Sequence, residues 1–167
     1  MSRKIKLVKF RRQHITPQYI GWLNDSELVQ YSEQRHHKHT YETCLEYYKS
    51  FIGSPNLFYA VIDAESNEHV GNINAIIDTY NSVADIGILI AKGNHGYGFV
   101  AWSKMIEILF NEKKARKITA GTMAMNDSMI KIFKKSKMQK EYVKKRHFLC
   151  DKKEVDLLGY CIYNDNI

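Results

Sequence analysis

Three glycines, Gly93, Gly96 and Gly98, fall within six residues in the stretch GNHGYGF, after the apolar run IGILIA and before an apolar segment with helical spacing. Glycine is costly in ordered structure, so such a cluster marks a sharp turn or a place where something approaches bare backbone. A strand, a glycine turn and a helix N-terminus together make an anion site, because unpaired amides point outward along the positive end of the helix dipole. Phosphate is the natural guest. Gly93 to Gly98 meets the first half of a Walker A loop, but Phe99 and Val100 stand where its lysine and hydroxyl residue belong, which excludes that kind of nucleotide hydrolysis. The pattern GxGxxG is not met either, and the preceding strand follows a meander rather than opening a dinucleotide fold.

A second concentration of reactive side chains lies in YSEQRHHKHT, which holds Glu33, Arg35, His36, His37 and His39. Histidine titrates near neutral pH, so any of the three can accept a proton from an amine. Arg35 and the histidines equally suit a phosphate or carboxylate. The histidines lack further ligands at a fixed spacing, and no metal is expected. Asn72, Asn74 and Asp78 share one strand pattern; their amides and carboxylate suit a hydroxyl-rich partner, with ordinary strand polarity as the alternative.

Composition bounds the partners. Lys and Arg number 25 against 18 Asp and Glu, a net charge of +7 concentrated in SRKIKLVKFRR and KIFKKSKMQKEYVKKRH. The balance favours anionic partners without choosing among nucleic acid, membrane surface and phosphorylated small molecules, and either run also reads as a solvated face. Cys44, Cys150 and Cys161 are odd in number and far apart, which argues against a disulfide framework or zinc knuckle and for a reducing cytoplasmic setting. No apolar run approaches the roughly 20 residues that span a bilayer, so no membrane partner is expected. At 167 residues, one domain spanning 1–167 is expected.

The elements that must position these groups follow from periodicity. KIKLVKF alternates as a strand. Thr16 and Pro17 cap and open a helix from Pro17 to Leu23, and Thr40 caps a second, YETCLEYYKSF, stopped by GSPN. LFYAVID, HVGNINAIIDTY and VADIGILIA read as an antiparallel meander, and YGFVAWSKMIEILFNEK as an amphipathic helix that begins at the glycines. ARKITAGTM is a strand, Asn126 or Asp127 caps the helix SMIKIFKKSK, and EYVKKRHFLC with EVDLLGYCIY closes a hairpin. The predicted class is α/β of the α+β type.

That order, and the stretch ADIGILIAKGNHGYGFVAW…KITAGTMAMNDSMIKIFKKSKM, resemble the GNAT superfamily of acyl-CoA-dependent N-acetyltransferases, in the branch of ribosomal-protein N-terminal, polyamine and amino-sugar acetyltransferases. The resemblance implies the GNAT fold, a central, mostly antiparallel twisted sheet of mixed type flanked by about four helices. It implies acetyl-CoA as co-substrate, its pyrophosphate wrapped by Gly93, Asn94, His95, Gly96, Tyr97 and Gly98. In the family's loop a Gln or Arg precedes the glycines; here Gly93 replaces it. Ile88, Leu89 and Ile90 would offer main-chain groups to the pantetheine arm, because the family's strand splays from its neighbour there, and Asn126 would hydrogen-bond it.

The family tyrosine that protonates the leaving thiolate falls at Phe133, which has no proton to give. Either the thiolate leaves unprotonated or takes a proton from water, or Tyr97 or Ser128 serves, or activity is reduced. By the same resemblance Asp85, Glu33 and His37 are the candidate bases, and Arg35, His36, Asn72 and Asn74 the candidate acceptor contacts. The preferred acceptor is an amino sugar or nucleotide-linked amino sugar. A protein N-terminus or a polyamine is the alternative, and a non-catalytic coenzyme A- or nucleic-acid-binding module is the reading from another class. A small-molecule amine, not nucleic acid, is the expected partner, and a homodimer is compatible with it.

Overall fold

The computed structural model describes residues 4–93 and 95–165. The order is β1 (Ile5–Lys9), α1 (Pro17–Leu23), α2 (Tyr41–Lys49), β2 (Leu57–Asp63), β3 (His69–Asp78), β4 (Val83–Ile90), α3 (Tyr97–Asn111), β5 (Lys117–Met123), α4 (Asp127–Lys135), β6 (Gln139–Cys150) and β7 (Lys153–Tyr163). Short 3-10 turns at Arg12–His14 and Glu33–His36 interrupt stretches the pattern leaves as loop. Local chemistry sets the starts. Thr16 Oγ1 accepts from the Tyr19 amide with Pro17 in the first turn, Thr40 and Thr43 form a reciprocal box, and Asn126 accepts from the Met129 amide.

The seven strands form one sheet in the order β1-β2-β3-β4-β5-β7-β6. Every pairing is antiparallel except β4 with β5, which run parallel and pair only from Val83 opposite Lys117 to Asp85 opposite Thr119. Beyond Asp85 the strands part, leaving one edge of β4 without a ladder. Alternation then decides which groups face the gap. Ala91 N–H donates to Val70 O at 2.9 Å, so the polar groups of Leu89 also turn to β3, while those of Ile88 and Ile90 turn to the gap. The expectation for Leu89 is thereby corrected: its main chain belongs to the sheet.

The period of two also assigns faces. Ile73, Ala84, Ile86 and Ile118 pack under α3 and α4 against Ala101, Trp102, Met105, Leu109 and Phe133. On the opposite face Phe58 and Ala60 pack under α1 and α2 against Phe10, Tyr19 and Cys44. Two sequence readings change here. Asp78 is not an acceptor contact, because its carboxylate closes the β3–β4 turn by accepting from the Tyr80 and Asn81 amides at 3.0 Å each. Tyr97 is buried with its hydroxyl donated to Asp63 Oδ2 at 2.7 Å, so it is not the missing acid.

Asp63 ties the β2–β3 turn to the start of α3. It accepts from the Ser66 and Glu65 amides at 2.8 and 2.9 Å besides the Tyr97 hydroxyl. The Ser66 amide first, and then Tyr97, hold its pKa well below the usual carboxylate range. A depressed folded pKa contributes stability that is fully present above about pH 4 and is lost as pH falls toward the folded value. Thermal midpoints measured from pH 7 to pH 2.5 should therefore drop below about pH 4. Asp63→Asn should start lower at neutral pH and lose less on acidification; parallel acid slopes for the two proteins would contradict this role.

Candidate active site

The gap between β4 and β5 opens into a cleft of about 1200 Å³ that runs from the glycine turn, past the parted strands, to the segment between α1 and α2. Gly96, the N-cap of α3, has φ +78°, which a side chain rarely adopts, and supplies no side-chain cap. Helix geometry gives the amides of Gly98 and Phe99 no intrahelical partner. Gly98 sits so close to α4 that a Cβ would lie 3.0 Å from Ile132 Cδ1. Gly93 is different: its φ is ordinary and nothing lies within 4 Å of an added Cβ, so the fold itself does not require glycine there.

Cations gather at this end. Lys131 and Lys135, one turn apart on α4, line the cleft, and Lys135 Nζ lies 5.1 Å from the Phe99 ring centroid in the first turn of α3. A helix N-terminus beside an ammonium makes a strong site for a diphosphate. The basic run of the sequence is thus divided, two of its lysines serving the cleft. His95 is exposed and does not line the cleft, its ring resting 5.9 Å from that of Tyr97, which corrects the expectation for it. Asn94 lies outside the described residues.

Along the parted strands, Ile88 and Ile90 present open main-chain groups, and Asn126 lies across from them with Oδ1 held by the Met129 amide at 3.2 Å and Nδ2 donated to Thr122 Oγ1 at 3.0 Å. Its capping role is therefore filled whether or not it also meets a ligand. Phe133 also lines the cleft, fully buried, with ring centroids 5.5 Å from Trp102 and 4.6 Å from Tyr160. Ser128 is exposed on the lining and is the one proposed substitute acid that stays accessible.

At the far end the 3-10 turn Glu33–His36 forms a roof, capped by Ser32 Oγ accepting from the Gln34 amide. Asn24 clamps His39 in both directions, accepting its amide at 2.8 Å and donating to its carbonyl at 2.9 Å. Glu33, His37 and His39 line the cleft. Arg35 and His36 do not, which corrects both as acceptor contacts. Arg35 Nη1 pairs with Glu33 at 2.9 Å and its Nη2 donates to Leu149 O at 3.3 Å, so it straps the roof to β6; His36 is exposed and faces Glu33 at 3.6 Å.

The floor comes from β3. Asn74 Nδ2 donates to the Tyr47 hydroxyl at 3.3 Å, and its Oδ1 occupies the space over Gly87, where a Cβ would stand 2.6 Å away. Asn72 is buried with Oδ1 2.9 Å from His69 Nε2. Asp85 shares this face but does not line the cleft; Thr119 Oγ1 donates to it at 2.6 Å beside the last paired residues of β4 and β5. Partial desolvation raises its pKa, with the Thr119 bond opposing. Sequence reasoning missed Glu27, Tyr31, Tyr47, Trp102, Lys131 and Lys135 as lining residues. Glu27 and Tyr31 flank the His-rich segment that the residue types single out, and that proximity is the only signal the chain offered for them.

Among the described residues, no three His, Cys, Asp or Glu side chains are grouped to hold a metal ion, and no helix is long and apolar enough to cross a membrane. A family model for an acetyltransferase (GNAT) domain matches residues 4–139. No curated protein matches the chain. Solved structures do. A GNAT-family acetyltransferase from Bacillus anthracis superposes with a TM-score of 0.83 at 20% identity, covering 99% of this chain and 98% of that one. A spermidine N-acetyltransferase from Vibrio cholerae, in complex with CoA and spermine, superposes with a TM-score of 0.85 at 16% identity, covering 96% and 95%. A dodecameric structure of the Vibrio cholerae enzyme gives 0.80 at 17% identity, covering 97% and 95%.

Proposed function

The chain belongs to the GNAT acetyltransferase family and is an acetyl-CoA-dependent N-acetyltransferase, and we propose that its acceptor is a primary amine of a polycationic aliphatic chain, the polyamine class. The observation that carries this is the presence of carboxylates at one end of the cleft alone. Lys131 and Lys135 stand at the anion-binding end, while Glu27 and Glu33 line the roof end, where Lys38 stands beside them. Carboxylates there attract a cationic chain, and the amines of the acceptor lie between them and the strand gap. The Vibrio cholerae structure that holds CoA and spermine has the same fold, which supports the choice among amines.

The amino-sugar acceptor expected from the sequence loses its basis. Asp78 is spent on a turn, Asn74 holds Tyr47, and Asn72 Oδ1 meets His69, which leaves the buried Asn72 Nδ2 as the one unpaired amide of the hydroxyl-pairing set. The roles follow from access. Ile88 and Ile90 extend the β4 ladder to the amides of the pantetheine arm, and the Gly98 and Phe99 amides with Lys135 meet its diphosphate. Glu33 is already paired with Arg35, so we assign the amine's proton to His37, an imidazole that lines the cleft. Asp85 sits outside the cleft and is not assigned the proton.

Thiol release from acetyl-CoA tests the acceptor reading against a panel of spermidine, spermine, glucosamine and an N-terminal peptide. Spermidine or spermine should be acetylated most efficiently, and the Glu27→Gln, Glu33→Gln double variant should raise KM for them about tenfold, as expected for two partly exposed ion pairs. Preferential turnover of glucosamine or of the peptide would overturn the polyamine assignment.

A further inference from the structure

One hydroxyl of the cleft is set in place by two residues of the sheet. The register lays Asn74 of β3 between Phe58 of β2 and Gly87 of β4, so the three share the face that α1 and α2 cover. Gly87 leaves the space over β4 bare and the Asn74 amide fills it: an added Cβ at Gly87 would stand 2.6 Å from Asn74 Oδ1 and 3.8 Å from its Nδ2. From there Nδ2 donates to the Tyr47 hydroxyl of α2 at 3.3 Å. The Tyr47 ring is held from behind by edge-on contacts with Phe51 and Phe58, at centroid distances of 5.1 and 5.4 Å.

Two short legs, 3.8 Å from the Gly87 Cβ position to Nδ2 and 3.3 Å from Nδ2 to the Tyr47 oxygen, bring that oxygen to the part of β4 just before Ile88, where its open main-chain groups begin. Tyr47 lines the cleft and is 44% exposed, so a ligand there can reach it. A phenol oxygen has two lone pairs and one proton. Asn74 engages one lone pair, and among the described residues no other group bonds the hydroxyl, which leaves the second lone pair free to accept. Desolvation raises the Tyr47 pKa, so at neutral pH it stays a phenol and does not compete with His37 for the proton.

We propose that the Tyr47 hydroxyl oxygen accepts a hydrogen bond from the attacking amine and thereby selects primary over secondary amines, with Asn74 and Gly87 as its positioning residues; the inference rests on the polyamine reading above. A neutral primary amine carries one lone pair and two N–H bonds. The lone pair forms the new C–N bond at the thioester carbonyl, and the C–S bond breaks with its electron pair going to sulfur. One N–H proton goes to His37, the other N–H stays on Tyr47 and remains in the amide product, and water protonates the thiolate. A secondary amine has a single N–H, which His37 takes, so nothing is left to hold it on Tyr47 while its lone pair meets the carbonyl.

The test compares spermidine with an analogue methylated on both terminal nitrogens, which keeps the charge and chain but has secondary ends. In the full chain, Tyr47→Phe should lower kcat/KM for spermidine about tenfold, the worth of one hydrogen bond, and leave the analogue within about threefold, so that the preference for the primary amine narrows. KM for acetyl-CoA should stay within about threefold. Gly87→Ala displaces only the end of a side chain and should fold; by pushing the Asn74 amide aside it should narrow the same preference, and it should add nothing in a Tyr47→Phe background. A role in packing alone would lower both substrates equally. An unchanged preference in Tyr47→Phe, or a Gly87→Ala effect that persists without the hydroxyl, would overturn the proposal, and Gly87→Ala decides if Tyr47→Phe fails to fold. Should another primary amine prove to be the acceptor, the polyamine reading falls, and the same comparison of that amine with its N-methyl derivative decides the role of Tyr47.

Discussion

Gly71→Ala is expected to destabilise the protein by about 3 kcal/mol and to weaken acetyl-CoA binding with it. Gly71 lies on β3 opposite Ile90, and an added Cβ would stand 2.4 Å from Leu89 O, 2.7 Å from Ile90 Cδ1 and 3.0 Å from Ile90 Cα. A flexible side-chain tip can swing aside from such a contact. A backbone carbonyl held in a ladder cannot, so β3 and β4 must separate locally. The strand displaced is the one whose other edge carries the open groups of Ile88 and Ile90, and stability and ligand affinity therefore fall together. Gly93→Ala is the matched control for stability, because open space surrounds that position. Chemical denaturation and calorimetric CoA titration of both variants check the expectation; a Gly71→Ala protein as stable as Gly93→Ala would refute it.

Phe133→Ala should cost about 3–5 kcal/mol, the usual range for emptying an aromatic site in a core. The ring is fully buried and wedged between Trp102 of α3 and Tyr160 of β7, so its loss leaves neighbours on two elements without packing. For a chain of this length that corresponds to a fall in thermal midpoint on the order of 10 °C. The same ring forms a wall of the cleft, so turnover at a temperature where the variant is still folded should also drop. Phe133→Leu, which refills most of the volume, should recover most of the stability. Thermal unfolding with steady-state kinetics on the two variants separates the contributions, and an alanine variant within 1 kcal/mol of the parent would show that the site collapses freely.

The cleft joins two environments that the sheet holds apart. At one end a helix N-terminus and two lysines favour anionic groups; at the other, carboxylates, histidines and tyrosines line the cleft together with Lys38. The parting of β4 and β5 connects them. Because only three residue pairs hold those strands together, the opening is a property of the sheet rather than of any one side chain.

Most elements and the glycine turn were legible in the sequence, because their signals are local. Thr16, Thr40 and Asn126 cap the helices they announce, and α1 and β2 keep the bounds that the pattern gives them. Gly96 holds the left-handed turn that starts α3, and residues 4–139 match the family model that the resemblance pointed to. Signals of this kind reach three or four residues, and a chain carries them wherever it goes.

The sequence alone left undecided which polar side chains face the cleft. Arg35 and His36 share a segment with Glu33 and His37, yet the 3-10 turn sends the first pair away and the second pair inward. Tyr97 sits in the glycine loop, yet its hydroxyl meets a carboxylate 34 positions earlier. Trp102 and Lys135 read as core and as surface charge until α3 and α4 bring them to one wall. Such choices depend on strand register, on helix rotation and on where a ladder ends, and those are set by contacts between segments far apart in the chain. Residue types and spacing therefore determined the class of chemistry, and packing alone decided which atoms are in position to perform it.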